Sequence, residues 1–100
     1  MSMYCLVWKY KVTSNKDKFE EEYGRNGSWF KFFEPCEDYL GHDLLKSADG
    51  SVFILVDKWM SKADYQDFIE DNKTEYESLN EKMKALYEEE VQLGEFDLLQ

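Results

Sequence analysis

Between Val52 and Val56 the chain stops alternating between apolar and polar positions. Val52, Phe53, Ile54, Leu55 and Val56 run together before Asp57-Lys58-Trp59. Successive strand residues point to opposite faces, so an unbroken apolar run predicts a strand covered on both sides. The chain's own helices can cover one side; the other calls for a partner subunit. Elsewhere the periodicities are simpler. Met3 to Val12 alternates, with Tyr4, Leu6, Trp8, Tyr10 and Val12 on one face and Cys5, Val7, Lys9 and Lys11 on the other, which predicts a strand. Ser14, with Asp17 three residues later, predicts the cap of a short helix that carries Phe19 and Tyr23 on one side and ends in a left-handed turn at Gly24. After the Asn26-Gly27 turn, Ser28 is placed as the cap of a second short helix from Trp29 to Glu34, stopped by Pro35.

Tyr39 to Lys46 reads as a second strand, joined through Asp49-Gly50 to Val52–Trp59 as an antiparallel hairpin. Ser61, with Asp64 following, predicts the start of one long helix. Its apolar stripe runs through Tyr65, Phe68, Ile69, Tyr76, Leu79, Met83, Leu86 and Tyr87 at steps of three and four, too short for a coiled coil. Glu88-Glu89-Glu90 then falls at the end where the helix dipole disfavours acids. Val91 to Leu98 is the last predicted strand, with Gly94 marking a bulge or a close approach. The resulting order, β-α-β-β-α-β, predicts a ferredoxin-like α+β fold: a four-stranded antiparallel sheet with helices on one face.

The length of 100 residues fits a single domain spanning 1–100, small enough to gain stability from pairing with another copy. Aromatic residues are 17% of the chain, more than such a core requires, so some rings are expected to line an interface or a pocket. The formal charge of −10 repels phosphate backbones and anionic bilayers, which argues against nucleic acid or a membrane as partner. No stretch reaches the roughly 20 apolar residues of a membrane span. Cys5 and Cys36 form no CxxC pair, and a chain whose first strand begins near Met1 leaves no room for a targeting segment. Free thiols in a reducing cytoplasm are therefore expected. One histidine and two separated cysteines offer no metal-ligand spacing, and no metal or cofactor is expected.

Five segments together carry a resemblance: Trp8-Lys9-Tyr10-Lys11-Val12; Tyr23-Gly24 with Gly27-Ser28-Trp29; Tyr39-Leu40-Gly41; Asp57-Lys58-Trp59-Met60-Ser61 with Tyr65 and Phe68; and Gln92-Leu93-Gly94-Glu95-Phe96. In this order they resemble the antibiotic-biosynthesis-monooxygenase-like (ABM) proteins, which are dimeric α+β barrels. The resemblance covers nearly the whole chain. It implies a homodimer whose two sheets close into a barrel, with a cavity between sheet and helices in each protomer. Some members of that family oxidise aromatic polyketides with oxygen and no cofactor, others open haem, and fold alone does not decide among them. The haem-opening branch needs a histidine on the long helix, and none lies between Ser61 and Gln100.

The resemblance also implies that Trp59 and Tyr65, across the strand-to-helix junction, bind substrate; their alternative role is as plain core aromatics. The cofactor-free enzymes carry an Asn four residues before the Trp, where this chain has Leu55. His42, the sole histidine, is the candidate general base by its ordinary pKa, set against a surface or interface role because its strand neighbour Asp43 points the other way. Trp29 and Phe33, in the aromatic second helix, either lid a cavity or fill the core, and Tyr10 offers a hydroxyl to the wall. Two functions follow as expectations. One is a cofactor-independent monooxygenase acting on a small aromatic or conjugated compound, with His42 or a tyrosine handling protons. The other is a non-catalytic small-molecule-binding or interaction module on the same dimeric scaffold.

Overall fold

The computed structural model describes residues 3–99. Four strands, β1 (Met3–Lys11), β2 (Tyr39–Lys46), β3 (Val52–Trp59) and β4 (Glu89–Leu98), form one antiparallel sheet in the order β2-β3-β1-β4. This is the ferredoxin-like α+β arrangement that the element order predicts. Helices α1 (Lys16–Tyr23), α2 (Ser28–Phe33), α3 (Lys62–Asp71) and α4 (Lys73–Met83), with a 3-10 turn at Lys84–Leu86, complete the chain.

Burial along β3 alternates strictly, whereas in β1 Tyr4, Cys5 and Leu6 are all buried in succession. Phe53, Leu55, Asp57 and Trp59 point inward from β3, against Tyr4, Leu6 and Tyr10 from β1 and Val12 just beyond its end. The rings then pack in a mixture of stacked, tilted and edge-to-face pairs. Phe19 stacks on Tyr23, four residues along α1, at 4.2 Å and 11°, and both rings close on Tyr10. Trp59, wholly buried, meets Phe33 at 5.3 Å, Tyr39 at 5.2 Å and Tyr65 at 5.4 Å.

Among the described residues, no helix covers the opposite face of the sheet. Ile54 and Val56 lie there, beside Leu45, which is 58% exposed, and Phe96, which is 52% exposed. The five-residue apolar run is thus divided between the core and this second face.

Several local expectations change. The long helix is broken at Asn72, whose φ of −123° leaves the helical region. Its Nδ2 and backbone N–H both donate to the Phe68 carbonyl, at 2.9 and 3.1 Å, so the side chain competes with the helix ladder. Asn15, at φ +59°, rather than Ser14, precedes α1. Gly24 is extended, not left-handed, and Gly27 precedes α2, with Ser28 as its first residue. The Ser28 hydroxyl donates instead to the Glu22 carboxylate, tying α2 to α1. Glu88–Glu90 lies beyond the helix. Glu88 accepts from the Thr13 N–H at 2.7 Å, and Glu90 belongs to β4, so no acid opposes a helix dipole there. The Ser61 cap forms as predicted, its hydroxyl oxygen accepting from the Asp64 N–H at 3.1 Å. The bulge at Gly94 also forms. Val7 pairs with Gly94 and Trp8 with Gln92, leaving Leu93 as the extra residue, and Gly94 takes a φ of +151°.

Candidate functional site

The inward faces of β1, β3 and β4 and the undersides of the helices do not close completely. They leave a cavity of about 120 Å³. Its floor is Trp8 and Tyr10 from β1, Leu55 and Asp57 from β3, and Glu90 from β4; Tyr23, Trp29, Phe33, Tyr65, Tyr76 and Asn80 from the helices form the roof.

Asp57 is the unusual wall residue. The β3 alternation that buries Leu55 and Trp59 carries Asp57 to the same inward face, where it is 9% exposed. Its neighbour Lys58 faces the other side of the sheet, where its Nζ pairs with Asp43 at 3.1 Å. Nothing comparable reaches Asp57. Burial alone pushes its carboxyl up to about 7, because no cation or hydrogen-bond donor favours the ionised form. A carboxyl poised near neutrality is suited to accept a proton from a bound molecule and to return it.

The tyrosines around it are donors. Desolvation raises the Tyr10, Tyr23, Tyr65 and Tyr76 hydroxyls above the ordinary phenol value, so each keeps its proton at neutral pH. A tyrosine that handles protons here would do so as a donor. Tyr10 donates to Glu90 at 2.6 Å, an interaction aligned by their pairing across β1 and β4. The Tyr23 hydroxyl and the Trp29 indole N–H are buried with no hydrogen-bond partner among the described residues, although both belong to cavity-lining side chains. Such orphaned donors are costly unless a guest molecule engages them.

Of the residues singled out from the sequence, Tyr10, Trp29, Phe33 and Tyr65 line the cavity. Trp59 stands behind Phe33 and Tyr65 and is sealed off from solvent, so it buttresses the wall. His42 is elsewhere. It lies across the β2–β3 ladder from Asp57, but its Nδ1 meets the Tyr39 hydroxyl at 3.0 Å, and its ring packs on Phe30 near the Tyr23–Gly24 backbone. Burial lowers its pKa. It borders a separate surface depression with Arg25, Asp43 and Leu44.

Asp57, Asn80 and Glu90 were not among the sequence candidates. The signal for Asp57 was present: a lone acid in phase with Phe53, Leu55 and Trp59. Asn80 supplies from α4 an amide of the kind that Leu55 lacks on β3, and nothing in local spacing joins the two positions. Among the described residues no group of three or more His, Cys, Asp or Glu side chains is placed to hold a metal ion. Cys5 and Cys36 are free thiols, and among the described residues no helix is long and apolar enough to cross a membrane.

No protein-family model matches the sequence, and no curated protein does. Solved structures do. A variant of SnoaB, a cofactor-independent oxygenase from Streptomyces nogalater, superposes with a TM-score of 0.80 at 16% identity, covering 98% of this chain and 94% of that one. The ActVA-Orf6 monooxygenase of Streptomyces coelicolor, in complex with nanaomycin D, gives 0.70 at 16% identity, over 99% of this chain and 88% of that one. A dimeric ferredoxin-like protein from an uncultured marine organism gives 0.66 at 16% identity, over 100% and 90%. At such identity the shared property is architecture: the chain has the ferredoxin-like fold of the antibiotic-biosynthesis monooxygenases.

Proposed function

We propose that the protein is a homodimeric, cofactor-independent monooxygenase that oxidises a small electron-rich aromatic compound in the cavity under its helices. The observation that carries this reading is Asp57, an unpartnered carboxyl pushed up to about 7 inside an aromatic chamber. The oxygenase chemistry of SnoaB and ActVA-Orf6 on the same architecture supports the reaction class.

In this scheme Asp57 takes a proton from a phenolic or similarly acidic substrate. The resulting anion passes one electron to dioxygen, and the substrate radical and superoxide recombine as a peroxide. The peroxide takes up a proton, then loses water as the adjacent C–H proton departs, leaving a carbonyl. In sum, one phenol and one dioxygen give one quinone and one water. Asn80 and the protonated tyrosines provide donors for the developing oxygen anions, and the rings exclude bulk water.

The size of the chamber limits the substrate. An apolar cavity of about 150 Å³ holds a benzene, and the cavity here is about 120 Å³. A single ring is the fitting guest, with any larger portion reaching outward. The dimer is supported by the exposed Leu45, Phe96 and Val91 on the helix-free face of the sheet. Oxygen uptake with single-ring hydroquinones and phenols tests the function. Turnover that falls at least about a hundredfold in Asp57→Asn, in a protein that still folds, is the expected result. No turnover with any such ring, alongside intact binding, would favour a non-catalytic binding module.

A further inference from the structure

Among the described residues, the cavity wall holds two carboxylates and no positive charge: Asp57 and Glu90 contribute, while no Lys, Arg or His does. Enclosures that admit an acidic substrate normally supply a cation to receive it. Here a ligand carboxylate would be a third negative group in a space walled by rings, where charges are screened poorly.

Those rings point the same way. Trp8, Tyr10, Trp29 and Tyr76 present aromatic surface to the chamber, and aromatic faces attract organic cations. Glu90 is a fixed counter-charge rather than a loose surface acid. Its Oε2 accepts the Tyr10 hydroxyl hydrogen at 2.6 Å, and Tyr10 itself is clamped by Tyr87 at 5.1 Å and Tyr23 at 5.0 Å. Asp57, nine-tenths buried and unpaired, is the second sign that the wall awaits a complementary guest. The formal charge of −10 adds a long-range field that concentrates cations near the protein.

We infer that the ligand of this cavity carries a protonated amine, and that Glu90 is its counter-ion. The ammonium group sits against Glu90 and the tyrosine rings, and the ring of the ligand lies toward Asp57. A phenol bearing a short aminoalkyl chain has the required chemistry. This inference rests on the reading of the cavity as the binding site, and it is independent of the oxygenation step.

Anaerobic calorimetric titration of the whole protein tests it with three ligands that differ in charge: tyramine, para-ethylphenol and para-hydroxyphenylpropionate. Tyramine is expected to bind at least about tenfold tighter than the neutral phenol, and the carboxylate weakest of all. In Glu90→Gln the affinities of tyramine and para-ethylphenol should converge. A carboxylate that binds as well as tyramine, failure of all three to bind, or an amine preference that survives Glu90→Gln would each overturn the inference. The wild-type series needs no variant, so misfolding of Glu90→Gln cannot shield the claim. With oxygen absent, loss of turnover and loss of charge preference are separate outcomes.

Discussion

His42 and Asp57 face each other across the β2–β3 ladder, yet the carboxyl borders the aromatic cavity while the imidazole bonds to Tyr39 and packs beneath the α1–α2 connection. The two groups therefore have separable consequences. His42→Ala should lower stability by about 1–2 kcal/mol, through the lost hydrogen bond and ring contacts. It should leave KM and kcat for a ring substrate within a few-fold of wild type. Asp57→Asn should do the reverse: turnover collapses while the fold persists. Thermal melts and oxygen-uptake kinetics on the two variants decide the assignment, and an inactive but well-folded His42→Ala would return the base to His42.

Asp57 also links stability to pH. Its folded pKa, about 7, lies above the ordinary carboxyl value of 3.8, so the native state binds more protons than the unfolded state between those limits. Stability contributed by this group is present below pH 4 and declines as pH rises through about 7. Asp57→Asn removes that penalty. It should melt higher than wild type at pH 8, by an amount of the order of a few kcal/mol, and the two should converge toward pH 4. Equal pH dependence in both proteins would show that the carboxyl is not buried as described.

In the proposed oxygenation the same titration should govern the rate. A base must be ionised to accept a proton, so kcat/KM should climb as pH rises through about 7 and then level off. The cavity tyrosines Tyr10, Tyr23, Tyr65 and Tyr76, all raised by burial, contribute no limb near neutrality. A rate that falls over this interval would identify Asp57 as an acid instead.

Charge on the helix-free face should dissolve the proposed dimer. Leu45 is 58% exposed and pairs with Ile54 across β2 and β3, on the face that a second copy would cover. Ile54→Lys places an ammonium there without touching the cavity wall. Sedimentation should show wild type as a dimer and the variant as a monomer at micromolar concentration. A wild-type monomer under those conditions would end the homodimer reading.

Gly27 holds the roof in place. A Cβ there would collide with the backbone carbonyl oxygens of Glu21 and Glu22, which cannot yield as a side chain can. Gly27→Ala should displace α2, which carries Trp29 and Phe33, and cost about 2 kcal/mol or more. Tryptophan emission and ligand affinity should change together. A variant with unaltered melting and binding would show that α2 tolerates the shift.

Local pattern carried the scaffold. The alternation in β1, the unbroken run in β3, the Ser61 cap and the Asp49-Gly50 turn each follow from steric and hydrogen-bonding preferences that act within a few residues, so the four strands and their order along the chain could be read directly, though β4 begins at Glu89 rather than Val91 and β1 ends at Lys11 rather than Val12. Four of the aromatic site candidates, Tyr10, Trp29, Phe33 and Tyr65, were legible because excess rings on inward faces must meet somewhere. The break at Asn72 was not, since a mid-helix amide can point to water or turn back on the backbone with equal local justification. Nor was the chemistry of the chamber. An ordinary carboxyl becomes a neutral-range base only when no partner reaches it, and Asp57, Asn80 and Glu90 come from three different elements. Their meeting depends on long-range packing and on the dielectric of the enclosure, which exist only once the sheet and helices have closed over one another.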